Sequence, residues 1–250
     1  MKKFCLLIAL IILSCSKPND KPNLLFILVD DLGWTDVSYN GSDFYETYNI
    51  DRLSLTSMLF FNAYAASSVC SPTRASIMTG KHPARVNITD WIPGLEEQNN
   101  YNTSKNLLVG PKDRDELPLD EITIAEVLKM NGYKTFYSGK WHLGSEGYYP
   151  EDQGFDINVG GFEKGSPMGG YYSPYKNPKL TDGPEGEYLT DRLTNETIDF
   201  IESRDISKPF AAFLSFYNVH TPIQENKEFY DYYLEKLNGF EDKEIITKKE

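Results

Sequence analysis

Two stretches of strand length are apolar almost from end to end, Asn23–Val29 (NLLFILV) and Phe210–Tyr217 (FAAFLSFY), and they limit the fold more than anything else in the chain. A strand with one face in water alternates apolar and polar residues. A continuous apolar run asks for cover on both faces, which a parallel sheet between two layers of helices supplies. Tyr133–Ser138 is a third strand candidate, and helical patterns lie between these runs. Thr123 and Glu126 form a capping box ahead of an apolar stripe of Ile124, Val127 and Leu128, with Gly132 as the stop. Leu189, Leu193, Phe200 and Ile201 mark one face of a helix over Thr190–Ser203. Shorter signals are a helix within Thr47–Leu53 capped by Asn49, a strand-like Phe60–Ala66, and a charged, helix-prone tail from Gln224. The fold class expected is α/β, with a mixed, mostly parallel sheet flanked by helices on both faces.

Each strand candidate ends in polar residues: Asp30-Asp31 after the first, Gly139-Lys140-Trp141-His142 after Ser138, and Asn218-Val219-His220 after Tyr217. Ligands in open α/β sheets gather at the carboxyl ends of strands, so these exits are candidate site residues. Two adjacent carboxylates leaving a core suit a hard divalent cation, or else a solvated turn, and the residues alone leave both open. Lys140 and His142 fall on one side of an extended segment, although a Lys-x-His pair is also common surface decoration. The chain has three histidines, and two of them stand at these exits.

The segment Ser67–Gly80 reads SSVCSPTRASIMTG. Ser71 as N-cap and Pro72 at the first helical position predict a helix that Gly80 closes. Cys70 then lies at a helix start, where unpaired N–H groups and the dipole favour negative charge, with Arg74 one turn in. Such a place fits an anion, or a nucleophile that must become one; it also fits a small buried cysteine.

Met1–Ser16 has the layout of an export signal: Lys2 and Lys3, then an apolar run too short to span a bilayer. It ends in Leu13-Ser14-Cys15, which looks like a bacterial lipobox with Cys15 as the lipidated first mature residue; an ordinary cleaved signal is the alternative. Residues 1–15 thus read as a lipoprotein signal, 16–22 as a linker and 23–250 as the folded part, of an exported protein in the periplasm or on the outer membrane. Of three cysteines, this leaves Cys70 as the one in the folded body, and an unpaired thiol in an exported protein calls for a reason. The net charge of −12 argues against a nucleic-acid partner, which asks for a basic stripe. Gln98–Asp115 and Gly160–Pro184 read as loops.

The pattern C-S-P-T-R at Cys70–Arg74 resembles the signature of the sulfatase family, within the alkaline phosphatase superfamily. V-D-D-L-G-W at Val29–Trp34, Y-N-I-D-R-L at Tyr48–Leu53, G-K-W-H-L-G at Gly139–Gly144, Q-G-F-D at Gln153–Asp156 and H-T-P at His220–Pro222 resemble further family segments in the same order. The resemblance implies an alkaline-phosphatase-like α/β domain and a sulfuric ester hydrolase acting on a sulfated glycan or another sulfate ester. It implies that Cys70 is oxidised by a formylglycine-generating enzyme to Cα-formylglycine, and that Asp30, Asp31 and residue 70 bind Ca²⁺. Arg74 and Lys140 are then the cations at the diol and sulfate, His142 the base, and His220 a sulfate contact or acid. It covers the amino-terminal half of the family; a later Asp-Asn (or Asp-Gln) pair of the calcium shell and a second lysine have no counterpart, which puts the activity of this stretch in doubt. A phosphatase or phosphonate hydrolase of the same superfamily, and a non-catalytic glycan-binding lipoprotein, are the alternatives.

Overall fold

The computed structural model describes residues 21–92 and 113–239. The signal and lipid-anchor segment, most of the Gln98–Asp115 loop and the end of the charged tail lie outside them. The apolar runs form the strands β1 (Leu24–Leu28), β2 (Lys134–Gly139), β3 (Ile157–Val159) and β4 (Phe210–Ser215). They make one sheet in the order β1-β4-β2-β3, with every neighbouring pair parallel. Because chain order and spatial order differ, β4 sits between β1 and β2, and the three polar exits lie side by side at one end of the sheet.

The helices are α1 (Tyr48–Ser54), α2 (Cys70–Thr79), α3 (Pro83–Val86), α4 (Ile124–Met130), α5 (Leu189–Ser203) and α6 (Tyr230–Gly239). The capping box holds as the sequence predicts: Thr123 N–H donates to Glu126 Oε2 at 2.7 Å, and Glu126 N–H to Thr123 Oγ1 at 3.1 Å. Helix α5 buries Leu189, Leu193 and Phe200 of its predicted face together with Thr197, and leaves Ile201 partly buried. Gln153 and Phe155, from the Q-G-F-D segment, are buried, and Asp156 pairs with Lys129 and Lys134, so that segment serves packing. The core centres on β2 and β4, where Tyr137, Trp141, Phe155 and Phe213 meet edge to face.

Four expectations are corrected. Strand β1 is not buried on both faces; as a sheet edge it leaves Leu25 and Ile27 about half exposed. Phe60–Ala66 joins no ladder among the described residues and is exposed. Helix α1 is capped by Thr47 rather than Asn49; its hydroxyl bonds Ser38 and Asp51. Helix α2 begins two residues earlier than predicted: Val69 is the N-cap, and Cys70 is the first helical residue. Ser71 is drawn away from capping because its hydroxyl accepts Ile92 N–H at 3.0 Å.

Gly139 closes β2 at a φ of +97°, and a Cβ there would lie 2.0 Å from the Ser215 carbonyl oxygen. That carbonyl accepts Lys140 N–H at 2.8 Å, so the turn fixes where Lys140 leaves the sheet. Gly139→Ala should destabilise the fold by about 2–4 kcal/mol through backbone collision and strain. Urea unfolding of the variant checks this; a change within about 0.5 kcal/mol, the scale of a neutral surface substitution, would contradict it.

Candidate active site

Arg74 joins the three strand ends. Its guanidinium donates to Asp30 Oδ2 after β1 (3.0 Å), to the Lys140 carbonyl after β2 (2.5 Å) and to Ser215 Oγ at the end of β4 (2.7 Å). The helix delivers it because Arg74 is one turn from the start of α2 and faces the sheet with Ala75 and Met78. Lys140 is fully buried and ion-paired to the same Asp30 Oδ2, with no other hydrogen-bond partner for its Nζ. Burial alone would raise the Asp30 pKa, but Arg74 and Lys140 together hold it below the ordinary carboxylate range. Burial, then Arg74, lowers the Lys140 pKa against the pull of Asp30. Two cations share one carboxylate, so the cluster carries an excess positive charge beside the start of α2. No side chain caps that helix end. Both features favour an anion there.

Cys70 Sγ lies 3.2 Å from His142 Nδ1, and His142 Nε2 lies 2.9 Å from the Ile92 carbonyl oxygen. A carbonyl only accepts, so Nε2 carries the proton and Nδ1 presents its lone pair to residue 70. Burial, followed by the Lys140 charge, pushes the His142 pKa down to about 3 and keeps the ring neutral. The route by which His142 gets there differs from the period-two expectation. Strand β2 stops at Gly139, and His142 takes a φ of +58°, so no extended segment joins it to Lys140. Both nonetheless reach the same cluster, Lys140 through Asp30 and His142 through Cys70.

The remaining candidates stand apart from this core. Asp31 adopts a φ of +58° and turns its carboxylate outward, 53% exposed, 3.9 Å from His220 Nε2. His220 donates through Nδ1–H to its neighbour's carbonyl, Thr221 O, at 2.7 Å, and its own carbonyl accepts Tyr171 O–H at 2.9 Å. The calcium site implied by Asp30, Asp31 and residue 70 is not closed by these residues. Among the described residues no group of three or more His, Cys, Asp or Glu is gathered as for a metal. Asp30 is already engaged by two cations, and two carboxylates fall well short of the roughly six to eight oxygens calcium takes. Three contributors lie outside the sequence reading: Ser215, Ile92 through its carbonyl, and Gly165, where a Cβ would come 2.4 Å from His142 Cε1. Ser215 carried a signal, being the polar residue of an otherwise apolar run; the other two act through backbone and carried none. The loop tyrosines Tyr171, Tyr172 and Tyr188 pack on one another, with ring centroids 5.2–5.8 Å apart.

Two outcomes follow from this geometry. Asp30→Ala leaves Arg74 and Lys140 buried without their counter-charge and should cost about 3–5 kcal/mol, measured by denaturant unfolding. A loss under about 1 kcal/mol, the worth of an exposed pair, would mean the cations are solvated. His142 is protonated less readily folded (pKa about 3) than unfolded, so its contribution is fully present above its ordinary pKa near 6.5. That contribution is lost as pH falls from there toward 3, by about 1.4 kcal/mol per pH unit; His142→Gln should flatten this limb in unfolding measured from pH 7 to 5.

The comparisons agree with the geometry. A family profile described as Sulfatase matches residues 22–244. Arylsulfatase G of Canis lupus familiaris is 31% identical over 244 aligned positions, covering 84% of this chain and 42% of that protein. N-acetylgalactosamine-6-sulfatase of Homo sapiens is 31% identical over 230 positions, covering 83% and 41%. Among solved structures, Ps i-CgsB in complex with k-i-k-neocarrahexaose superposes with a TM-score of 0.65 at 28% identity, covering 86% of this chain and 49% of that one. BT4656 in complex with D-glucosamine-2-N,6-O-disulfate gives 0.67 at 28%, covering 87% and 38%. The chain therefore spans about two-fifths of the length of the curated relatives it matches. With three strand exits joined on Arg74 beside Cys70, and a family match over nearly all of its length, the chain belongs to the sulfatase family.

Proposed function

We propose that this chain supplies the nucleophile side of a sulfate-ester hydrolase, with residue 70 working as formylglycine and a sulfated glycan as substrate. The observation that carries the reading is the placement of Cys70: at an uncapped helix start, against the lone pair of a neutral histidine, beside two buried cations that share one carboxylate. In the modified form, the hydrated aldehyde offers one hydroxyl to attack sulfur and release the alcohol, and a second whose proton loss expels sulfate and restores the carbonyl. A plain thiol has no such second step.

The chain's own residues divide the work. Arg74 and Lys140 hold positive charge at residue 70 before any anion arrives, so little reorganisation accompanies binding. His142 Nδ1 is the acceptor facing residue 70 and is the candidate to take the second hydroxyl's proton; the negative charge of bound sulfate raises its basicity when that step comes. His220, at the rim, is the group placed to meet sulfate or the leaving oxygen. Asp30 and Asp31 would form one side of a calcium site, and a bound ion would lower the pKa of the attacking hydroxyl. Support for a glycan comes from the relatives, one an N-acetylgalactosamine-6-sulfatase and one solved with a disulfated glucosamine. Export as a lipoprotein anchored at Cys15, and maturation by a formylglycine-generating enzyme, complete the proposal.

Mass spectrometry of the residue-70 peptide, from protein made in its native host, should show a loss of about 18 Da from cysteine as the thiol gives way to an aldehyde. An unmodified thiol would overturn the mechanism. Hydrolysis of aryl sulfate should exceed that of aryl phosphate, and Cys70→Ala should lower it by at least about 10³-fold, as loss of a nucleophile does. Calorimetric titration of residues 1–250 should give calcium binding no tighter than about 10⁻⁴ M, the weak end for protein calcium sites. Submicromolar binding would show that the shell is already complete.

A further inference from the structure

Beyond Ser215 the chain leaves β4 and runs through Tyr217–Gln224 without helix or strand, and His220 stands in the middle of that stretch. Regular structure does not fix such a segment, yet the loop Gly160–Pro184 grips it at several points. Tyr171 makes two of the bonds. Its O–H donates to the His220 carbonyl at 2.9 Å, and its N–H donates to Gln224 Oε1 at 2.8 Å. Tyr172 continues the line: its O–H donates to the Glu225 carbonyl (3.1 Å) and its hydroxyl oxygen accepts Lys227 N–H (2.8 Å). The approach is close, since a Cβ on Gly170, whose φ is +82°, would lie 2.7 Å from Gln224 Oε1.

Tyr171 is itself fixed from behind. It is 2% exposed, its carbonyl accepts the N–H of Leu189 at the start of α5 (2.8 Å), and its ring stacks on Tyr188 with centroids 5.8 Å apart. Burial, then Tyr188 and the charges of Asp30 and Asp31, raise its pKa, so the phenol stays a donor. The His220 ring has less to hold it. Its Nδ1 bonds the carbonyl of Thr221, a residue that moves with it, and its Nε2 lies 3.9 Å from the exposed Asp31. The direction of Nε2 is therefore decided by the His220 backbone, and the side chain that reaches this backbone from the core is Tyr171. We propose that Tyr171 is a positioning residue for His220: its hydroxyl sets where Nε2 points, and so how His220 meets the sulfate or the leaving oxygen. The consequence for turnover assumes the sulfate-ester reading above; the placement of the ring does not.

Tyr171→Phe deletes the hydroxyl and keeps the ring on Tyr188. The full chain and the variant are treated at neutral pH with diethyl pyrocarbonate, which modifies unprotonated, accessible imidazole nitrogens, and each histidine is followed by peptide mass spectrometry. His220 should react about 2–10-fold faster in the variant, the change in local opening that one hydrogen bond is worth. His82, exposed and remote from the loop, should react as before. Tyr175→Phe is the control, because Tyr175 is a buried tyrosine of the same loop whose O–H donates to Glu187 and not to the exit segment. It should leave His220 unchanged. Equal His220 rates in the unsubstituted chain and Tyr171→Phe, or the same rise in Tyr175→Phe, overturn the proposal. On aryl sulfate, Tyr171→Phe should lower kcat/KM about 2–10-fold alone but less than about 1.5-fold on top of His220→Ala, since a residue acting through His220 then has nothing left to act on. Losses that multiply in the double variant overturn it as well. If the unsubstituted chain hydrolyses no aryl sulfate, the sulfate-ester reading fails, and the histidine labelling alone decides whether Tyr171 places His220.

Discussion

One guanidinium holds the working end of this molecule together. Arg74 reaches the ends of β1, β2 and β4 through three different acceptors: a carboxylate, a carbonyl and a hydroxyl. The planar fork of arginine can address them at once, where an ammonium on a flexible stem could not hold the same geometry. Burying a cation this deeply costs several kcal/mol, and the cost is tolerable only because its donors are met and Asp30 lies against it. Lys140 then pairs with the same carboxylate oxygen. The outcome is a rigid cluster with charge to spare, which water cannot neutralise and an incoming anion can.

The same economy separates residues that look alike in sequence. Asp30 and Asp31 are neighbours, yet one is buried under two cations and the other is half in water. The reason is the left-handed turn at Asp31, which breaks the strand alternation and points its side chain away from the sheet. His142 and His220 divide in a similar way. His142 is locked by the Ile92 carbonyl and covered by Gly165, so its tautomer and its neutrality are both set. His220 is pinned only through its own backbone neighbour and stays at the rim. Position at a strand exit brings each residue to the site, and burial separates Asp30 from Asp31 and His142 from His220.

Much of this was legible beforehand. The apolar runs located β1 and β4, the alternation of strands and helices pointed to a parallel sheet, and the polar exits located the site. What was not legible depends on groups that leave no trace in residue type. The carbonyl of Ile92 and the bare Cα of Gly165 act on His142 through backbone alone. The start of α2 lies two residues earlier because the Ser71 hydroxyl, a good cap by type, accepts Ile92 N–H instead. Lys140 and His142 were paired for the wrong reason, since the turn at Gly139 and the left-handed His142 replace the assumed extended segment. The one misjudged strand environment, β1, was a matter of neighbours: its composition anticipates a partner on each side, and the described residues provide one.

That asymmetry gives the site its two halves. On the β2 side everything is enclosed: Lys140 fully buried, His142 under a glycine, Trp141 and Tyr137 packed behind them. On the β1 side the same end of the sheet is open, with an exposed aspartate, a histidine at the rim and an apolar edge in water. The closed half contains Cys70 against the lone pair of His142, and the two buried cations that share Asp30. A parallel sheet with a wet apolar edge is an unstable arrangement in general, because both faces of such a strand are built for burial. Stability and chemistry thus divide along the same line: the exposed apolar strand and the exposed Asp31 lie on one side of the site, and the buried charge cluster on the other.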